Sequence, residues 1–189
     1  MRVGVFGGSF DPPHVGHLLL ASDAAEALAL DRLVWVPAAI QPLKGGRTAA
    51  PADVRLEMVE AAVAGDPRFA VSAIEIERGG LSYTVDTLAD FAAAYPTAAR
   101  FLVIGMDSLA TFDRWREPER IMALAEVAVM QRASDAPPPA VPPGVRVVTA
   151  RRVDVSSTEV RARVREGRSI RGFVPDAVAR LIERAGLYQ

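Results

Sequence analysis

Short apolar runs alternate with helical patterns along this chain, and that alternation restricts the fold more than any other feature. The clearest runs are residues 2–6, 32–36, 100–104 and 127–130, which are almost entirely apolar. Such strands must be covered on both sides, which is typical of a parallel sheet between two layers of helices. The sequence therefore predicts an α/β fold, a Rossmann-like doubly wound parallel sheet with helices on both faces.

Weaker patterns complete the predicted elements. Residues 145–148 are predicted as a fifth strand, and residues 69–76 alternate partly like a strand. Residues 38–51 and 136–143 are rich in proline or glycine and are predicted as loops. Helices are predicted at residues 15–28, 53–64, 85–95, 107–113, 118–124, 157–166 and 175–184.

Composition excludes several classes of protein. The length of 189 residues suits one compact domain, so residues 1–189 are predicted to form a single domain that includes the C-terminal helices of residues 157–189. A formal net charge of -1 gives no reason to expect nucleic-acid or membrane binding, and the lack of cysteine excludes disulfides and thiolate catalysis. No signal peptide and no apolar run of about 20 residues is present. We therefore expect a cytoplasmic protein, whose oligomeric state the sequence does not predict.

The string GGSFDPPHVGH, residues 7–17, lies between the first predicted strand and the first predicted helix. Gly7 and Gly8 let the backbone turn tightly and present its N–H groups to an anion. His14 and His17, the only histidines, stand at the helix start, where both can donate hydrogen bonds to phosphate oxygens. The alternative for two histidines at this spacing alone is an ordinary glycine turn with capping side chains.

A second string, DVSSTEVR at residues 154–161, opens one of the last helices. Ser156 and Glu159 have the spacing of a capping box, so a well-capped surface helix is one interpretation. The other is phosphate binding, because a helix start rich in hydroxyl groups, with Arg161 one turn further on, is suited to a triphosphate.

These two strings resemble the GGxFDPxHxGH and ISSTxxR motifs of the HxGH nucleotidyltransferases. The resemblance implies in-line transfer of a nucleotidyl group from ATP, with pyrophosphate as the leaving group, Mg²⁺ carried by ATP and His14 and His17 as the catalytic residues. Lys44 is the only lysine, which rules out the related tRNA synthetases with their lysine-rich KMSKS loop. The residues that the resemblance assigns to ATP binding are Gly7, Gly8, Ser9, Phe10, Gly105, Asp107, Ser156, Ser157, Thr158 and Arg161.

Two strings in the middle of the chain narrow the choice of the acceptor substrate, the molecule that receives the nucleotidyl group. Residues 82–88 (SYTVDTL) and residues 104–109 (IGMDSL) resemble the SYTxDTL and GxDSL motifs of the nicotinate-nucleotide adenylyltransferases within that superfamily. Simpler interpretations are a helix capped by Thr84, an N-cap aspartate at position 107, a core or lid tryptophan at position 115, a surface arginine at position 132 and a solvated lysine at position 44. The substrate-binding residues that the resemblance implies are Lys44, Tyr83, Thr84, Trp115 and Arg132.

The resemblance as a whole implies transfer of AMP from ATP to nicotinate mononucleotide, forming deamido-NAD and pyrophosphate in NAD biosynthesis. An enzyme that accepts nicotinamide mononucleotide, or both mononucleotides, is the alternative within this class. A nucleotide-binding regulatory module without turnover is the alternative outside it. Residues 169–188 also resemble the end of this family, and we expect them to have an architectural role.

Overall fold

The computed structural model describes residues 1–42, 48–133 and 141–189. In these ranges the strands form one sheet in the order β3-β2-β1-β4-β5-β6, and every neighbouring pair is parallel. This order confirms the predicted Rossmann-like α/β fold. The strands are β1 (Arg2–Gly8), β2 (Arg32–Pro37), β3 (Phe69–Val71), β4 (Ala99–Gly105), β5 (Glu126–Arg132) and β6 (Val145–Ala150).

Helices connect the strands and cover the sheet. Within the described ranges, none of them is both long enough and apolar enough to cross a membrane. The segment Phe112–Arg114 forms one turn of 3-10 helix. The α-helices are α1 (Val15–Ala27), α2 (Ala52–Val63), α3 (Ile74–Arg78), α4 (Thr84–Ala94), α5 (Met106–Leu109), α6 (Pro118–Leu124), α7 (Ser157–Arg165) and α8 (Asp176–Arg184).

Two apolar layers lie on opposite faces of the sheet, as the continuous apolar strands require. On one face, α1 and α2 pack against side chains such as Trp35 and Phe101. On the other face, α4 and α6 pack against alternate residues of the same strands, such as Val34 and Leu102. A third cluster joins α2 to α7 and α8 and includes Met58. The C-terminal helices are therefore held against the layer that also carries α2.

Two predicted elements differ from the structure. The strand pattern over residues 69–76 is wrong in its second half, because β3 ends at Val71 and α3 begins at Ile74. The short helix turns inward to bury Glu75, which accepts a hydrogen bond from the Thr87 hydroxyl at 2.6 Å, and this pairing leaves no periodic pattern in the sequence. The predicted helix at residues 107–113 is divided into α5 and the 3-10 turn.

The sheet opens where its winding direction reverses, between β1 and β4. Pairing of these two strands ends at Val5 and Leu102. In contrast, β1 stays paired with β2 as far as Gly8, and β4 stays paired with β5 as far as Gly105. The carboxyl ends of β1 and β4 therefore diverge, and such a crevice is where open α/β sheets bind ligands.

Candidate active site

The turn at residues 7–17 leaves the carboxyl end of β1 and is anchored by one aromatic side chain. Phe10 has a left-handed backbone with φ of 47° and a ring that is only 2% exposed. That ring packs edge-on against Phe6, with 5.4 Å between centroids, and at a tilt against Trp35, with 5.1 Å between centroids. A Cβ atom at Gly8 would lie 2.9 Å from the Phe10 ring, so glycine is needed there. The Phe10 ring therefore anchors the turn to the apolar layer of the sheet.

The two histidines are stacked at the start of α1. Their ring centroids are 3.7 Å apart, and the backbone N–H of His14 donates to Nδ1 of His17 at 3.2 Å. Because Nδ1 of a neutral His17 ring is the acceptor, its proton is on Nε2, which is then a donor. A Cβ atom at Gly16 would lie 3.0 Å from Nδ1 of His14, so the missing side chain lets the ring keep this position.

His14 is buried and its ring has an unmet hydrogen-bonding group. The residue is 8% exposed, and its Nδ1 atom has no hydrogen-bond partner among the residues that the structure describes. Burial lowers the pKa of His14 from 6.5 to about 4, so the ring is neutral at pH 7. An anionic ligand would supply both a partner and a charge that favours protonation. A buried, neutral imidazole with an unpartnered nitrogen is therefore suited to contact an anionic ligand.

The start of α7 contacts this turn. Ser157 donates its hydroxyl to the carbonyl of Pro12 at 2.8 Å, and the Arg161 guanidinium donates to the carbonyl of Asp11 at 2.7 Å. These bonds span 145 and 150 residues of sequence. The two strings that resemble the nucleotidyltransferase motifs are therefore in direct contact.

The capping interpretation of the second string is also correct. Ser156 is the N-cap of α7, and its hydroxyl accepts from the backbone N–H of Glu159 at 3.1 Å. Thr158 accepts a hydrogen bond from Arg161 at 3.3 Å. Capping and phosphate binding are compatible here, since a capped helix start is itself an anion site.

The other wall of the crevice is the carboxyl end of β4. Gly105 ends this strand and is the N-cap residue of α5, so the alternative of Asp107 as an N-cap is wrong. Asp107 is the second residue of α5 and is exposed. Its carboxylate is therefore accessible on the side of the sheet where the crevice opens.

The predicted acceptor residues cluster around the start of α4. The helix begins at Thr84 after an N-cap residue, Tyr83, whose side chain makes no capping bond, so capping does not explain this string. The Arg116 guanidinium lies 4.9 Å from the centroid of the Tyr83 ring. Trp115, the preceding residue, is half-buried, packs its ring 5.4 Å from Phe112, and leaves its Nε1 without a partner.

Two predicted phosphate-binding residues have different outcomes. Arg132 is the exposed last residue of β5, and its guanidinium is 3.6 Å from the carboxylate of Asp154, just before α7. It thus stands at the same edge of the sheet as the joined strings. Lys44 lies outside the described residues.

Three polar residues at the site, two of them buried and the third half-buried, were not predicted from the sequence. Asp11 accepts hydrogen bonds from the backbone N–H groups of Ala49 and Ala50, at 2.7 and 3.1 Å, and from the hydroxyl of Tyr188 at 2.7 Å. Burial and this hydrogen bond raise the pKa of Tyr188. Arg55 is fully buried and bonds to three backbone carbonyls. The sequence offered one signal, a charged residue at position 55 on the apolar face of a predicted helix.

Glu75 is a fourth residue that the sequence did not reveal. Burial raises its pKa, although the Thr87 and Ser82 hydroxyls that bond to it favour the charged form. Ser82 in turn accepts from the backbone N–H of Ala39 at 2.9 Å. The predicted acceptor string is thus tied to the chain that leaves β2.

Comparison with known proteins identifies the class. Residues 5–163 match the family model described as cytidylyltransferase-like, and the chain belongs to this family. Two curated relatives each carry the name "Probable nicotinate-nucleotide adenylyltransferase". The one from Gemmatimonas aurantiaca is 50% identical over 199 residues, covering 100% of this chain and 93% of the relative. The one from Thermus thermophilus is 46% identical over 193 residues, covering 100% of both. These matches confirm the family resemblance seen in the motifs.

Solved structures share the fold. A structure described as Plasmodium falciparum nicotinic acid mononucleotide adenylyltransferase complexed with NaAD has a TM-score of 0.83 at 15% identity, covering 99% of this chain and 97% of that one. The same protein complexed with APC has a TM-score of 0.81, also at 15% identity, covering 99% and 96%. The likeness confirms the predicted sheet architecture.

The buried neutral His14 predicts a pH-dependent stability. The unfolded chain binds a proton at this residue near pH 6.5, whereas the folded chain does so only near pH 4, so stability is lost as the pH falls between these values. The full loss is about 3 kcal/mol in the free energy of unfolding. Because His14→Gln does not titrate, urea unfolding should show the wild type losing about this much relative to the variant between pH 7 and pH 4. A difference between the two proteins that stays constant with pH would contradict the buried, neutral state.

Proposed function

We propose that this protein transfers AMP from ATP to nicotinate mononucleotide, giving deamido-NAD and pyrophosphate. The observation that carries the proposal is the direct contact between the start of α7 and the turn at residues 7–17, through Ser157 and Arg161, beside the crevice between β1 and β4. The relatives named nicotinate-nucleotide adenylyltransferase support the choice of reaction. The contact of both ends of the chain supports residues 1–189 as one nucleotidyltransferase domain, which we place in the cytoplasm.

In this proposal the chain acts by position and electrostatics alone. The backbone of Gly7, Gly8, Ser9 and Phe10 lines the nucleotide, and His14 and the Nε2–H of His17 donate to oxygens of the α- and β-phosphates. These bonds strengthen as negative charge moves to the leaving pyrophosphate, which is the condition for lowering the barrier. The acceptor phosphate attacks the α-phosphorus in line, so no covalent intermediate forms on the chain.

The remaining ATP contacts come from the other walls of the crevice. Gly105 allows close approach of the nucleotide, and the exposed Asp107 accepts from a ribose hydroxyl. At the start of α7, the motif holds the departing pyrophosphate, the β- and γ-phosphates of ATP, with hydroxyl groups, backbone N–H groups and a guanidinium, since a helix N-terminus and an arginine both favour an anion. The residues assigned to this role are Ser156, Ser157, Thr158 and Arg161.

The acceptor, nicotinate mononucleotide, binds near the start of α4, away from the start of α7 that holds the pyrophosphate. Trp115 offers an indole face on which an electron-poor pyridine ring stacks favourably, with Tyr83 and Thr84 near the ring carboxylate. Arg132 and Lys44 reach the phosphate of the mononucleotide. Preference for nicotinate mononucleotide over nicotinamide mononucleotide then depends on groups that hydrogen-bond to the ring carboxylate. Sites built to bond one such polar group discriminate strongly against the analogue that lacks it.

Mg²⁺ would accompany the ATP phosphates. Among the described residues, no three His, Asp or Glu side chains are grouped so that they could hold a metal ion. We propose that the protein holds the ion through the nucleotide, as enzymes commonly hold Mg²⁺ with substrate phosphates. When bound, the ion neutralises phosphate charge.

Pyrophosphate release by the purified protein tests the proposed reaction. With ATP, Mg²⁺ and nicotinate mononucleotide we expect turnover, and kcat/KM should exceed that for nicotinamide mononucleotide at least about tenfold, since the site is proposed to read the carboxylate. Comparable values for the two acceptors would assign a dual-specificity enzyme. ATP binding without release of pyrophosphate would instead indicate a regulatory module and reject the proposal.

Replacing the proposed stacking residue tests the acceptor site separately. Trp115→Ala should raise KM for nicotinate mononucleotide about tenfold, because the loss of one ring stack is worth about 1 kcal/mol or somewhat more. KM for ATP should stay within about twofold. Trp115→Phe keeps an aromatic face and serves as the matched control with a smaller change. An unchanged acceptor KM in Trp115→Ala would show that the ring does not touch the substrate.

A further inference from the structure

Arg55 is a buried cation whose hydrogen bonds within the described part of the chain all go to backbone carbonyls. It lies in α2 with 0% of its surface exposed. Its guanidinium donates to the carbonyl of Ser9 at 2.8 Å, to that of Ala39 at 3.2 Å and to that of Ala50 at 3.3 Å. The planar guanidinium is suited to such a threefold role, since its five N–H donors point in fixed directions.

These carbonyls belong to two different parts of the proposed site. Ser9 is in the turn at residues 7–17, which is proposed to hold the nucleotide. Ala39 and Ala50 lie in the segment that joins β2 to α2. The backbone N–H of Ala39 donates to Ser82 of the predicted acceptor string, whereas Ala50 packs in the cluster that joins α2 to α7 and α8. A side-chain bond of 2.6 Å from the Ser9 hydroxyl to Oε1 of Gln41 strengthens the same link. One guanidinium therefore joins the nucleotide turn to both ends of this segment.

Asp11 holds the same junction from the other side. Its carboxylate accepts from the backbone N–H of Ala50, whose carbonyl accepts from Arg55, so both polar groups of this residue's backbone are occupied by side chains. The Tyr188 hydroxyl donates to the same carboxylate and fixes its orientation. Burial lowers the pKa of Arg55, and the negative charge of Asp11 opposes this effect. The buried charges thus compensate each other across the junction.

Stability alone does not explain a guanidinium at this position. A buried charge is costly to desolvate, and apolar residues of similar volume often replace buried ionic groups without loss of stability. Met58 and Val59, on the same face of α2, show that this side of the helix is otherwise apolar. What an apolar residue cannot do is hold three carbonyls of separate segments at fixed mutual distances.

We propose that Arg55 is a positioning residue for adenylyl transfer, which sets the distance between the bound nucleotide and the acceptor by joining the turn at residues 7–17 to Ala39 and Ala50. This inference rests on the proposed function. It predicts that each substrate still binds when the link is weakened, while the reaction between them slows. Misplacement of reacting groups by about 1 Å can cost about 100-fold in rate.

Arg55→Lys tests this role, with Arg100→Lys as the matched control. Arg100 also donates to three backbone carbonyls, those of Tyr95, Ala98 and Leu124, but near the amino end of β4, away from the crevice. Arg55→Lys should lower kcat at least about 30-fold. The Kd values for ATP and for nicotinate mononucleotide, each measured separately by calorimetry, should stay within about threefold of the wild type. Arg100→Lys should lower the melting temperature to a similar extent and leave kcat unchanged.

Tyr188→Phe gives a second test that retains both buried charges. It removes one hydroxyl from the Asp11 side of the junction, and we expect kcat to fall about fivefold with unchanged Kd values. Tyr95→Phe, which removes a hydroxyl at the far end of α4, should have no kinetic effect. If Arg55→Lys does not fold, the Tyr188→Phe result decides.

The outcomes separate this inference from the proposed function. A wild-type protein without turnover would overturn both. A wild type that turns over together with an Arg55→Lys variant within about threefold of its kcat would overturn the positioning role alone. Loss of ATP affinity in proportion to kcat would also overturn it, because Arg55 would then support only the nucleotide subsite.

Discussion

Hydrogen bonds to the carbonyl groups of one turn connect parts of this molecule that are far apart in sequence. In the turn at residues 7–17 the carbonyls of Ser9, Asp11 and Pro12 accept hydrogen bonds from distant side chains, and buried carbonyls need partners. The partners are side chains from 46, 150 and 145 residues away, supplied by α2 and by the start of α7. The shape of the turn therefore depends on the packing of these two helices.

This dependence has an electrostatic consequence. Three carbonyls of the turn are occupied by side-chain donors from distant segments. The two stacked histidine rings lie at the start of α1, where the helix dipole is positive and a neutral imidazole carries one N–H donor. Such an arrangement is suited to a polyanion, which supplies acceptors and charge in the same step.

Much of the fold and half of the site follow from local sequence. The four apolar runs predicted the central strands because burial on both faces leaves a continuous apolar signature, and the strings at residues 7–17 and 154–161 predicted their own turn and helix start. The helix α3 escaped prediction because it depends on burial of Glu75 against Thr87. Arg55 and Tyr188 escaped for a related reason, since hydrogen bonds to a distant backbone or carboxylate leave no periodic pattern.

The positions of the acceptor residues illustrate what tertiary structure adds. Tyr83 and Trp115 lie 32 positions apart in sequence, and only the packing of α4 against the segment after α5 brings their neighbourhoods together, through Arg116 on the Tyr83 ring. The resemblance named Tyr83 and Trp115 from two separate strings, and the structure shows that the segments that carry them are in contact.

The most direct measurement of the central claim, that the two distant motifs form one phosphate site, is a double-mutant cycle in kcat between His17→Asn and Arg161→Gln. If both side chains act on one triphosphate held by one turn, their effects are coupled, and the double variant should lose less than the product of the single losses, by a coupling energy of about 1 kcal/mol or more. Single losses that simply multiply in the double variant would show that the motifs act independently and would contradict the account.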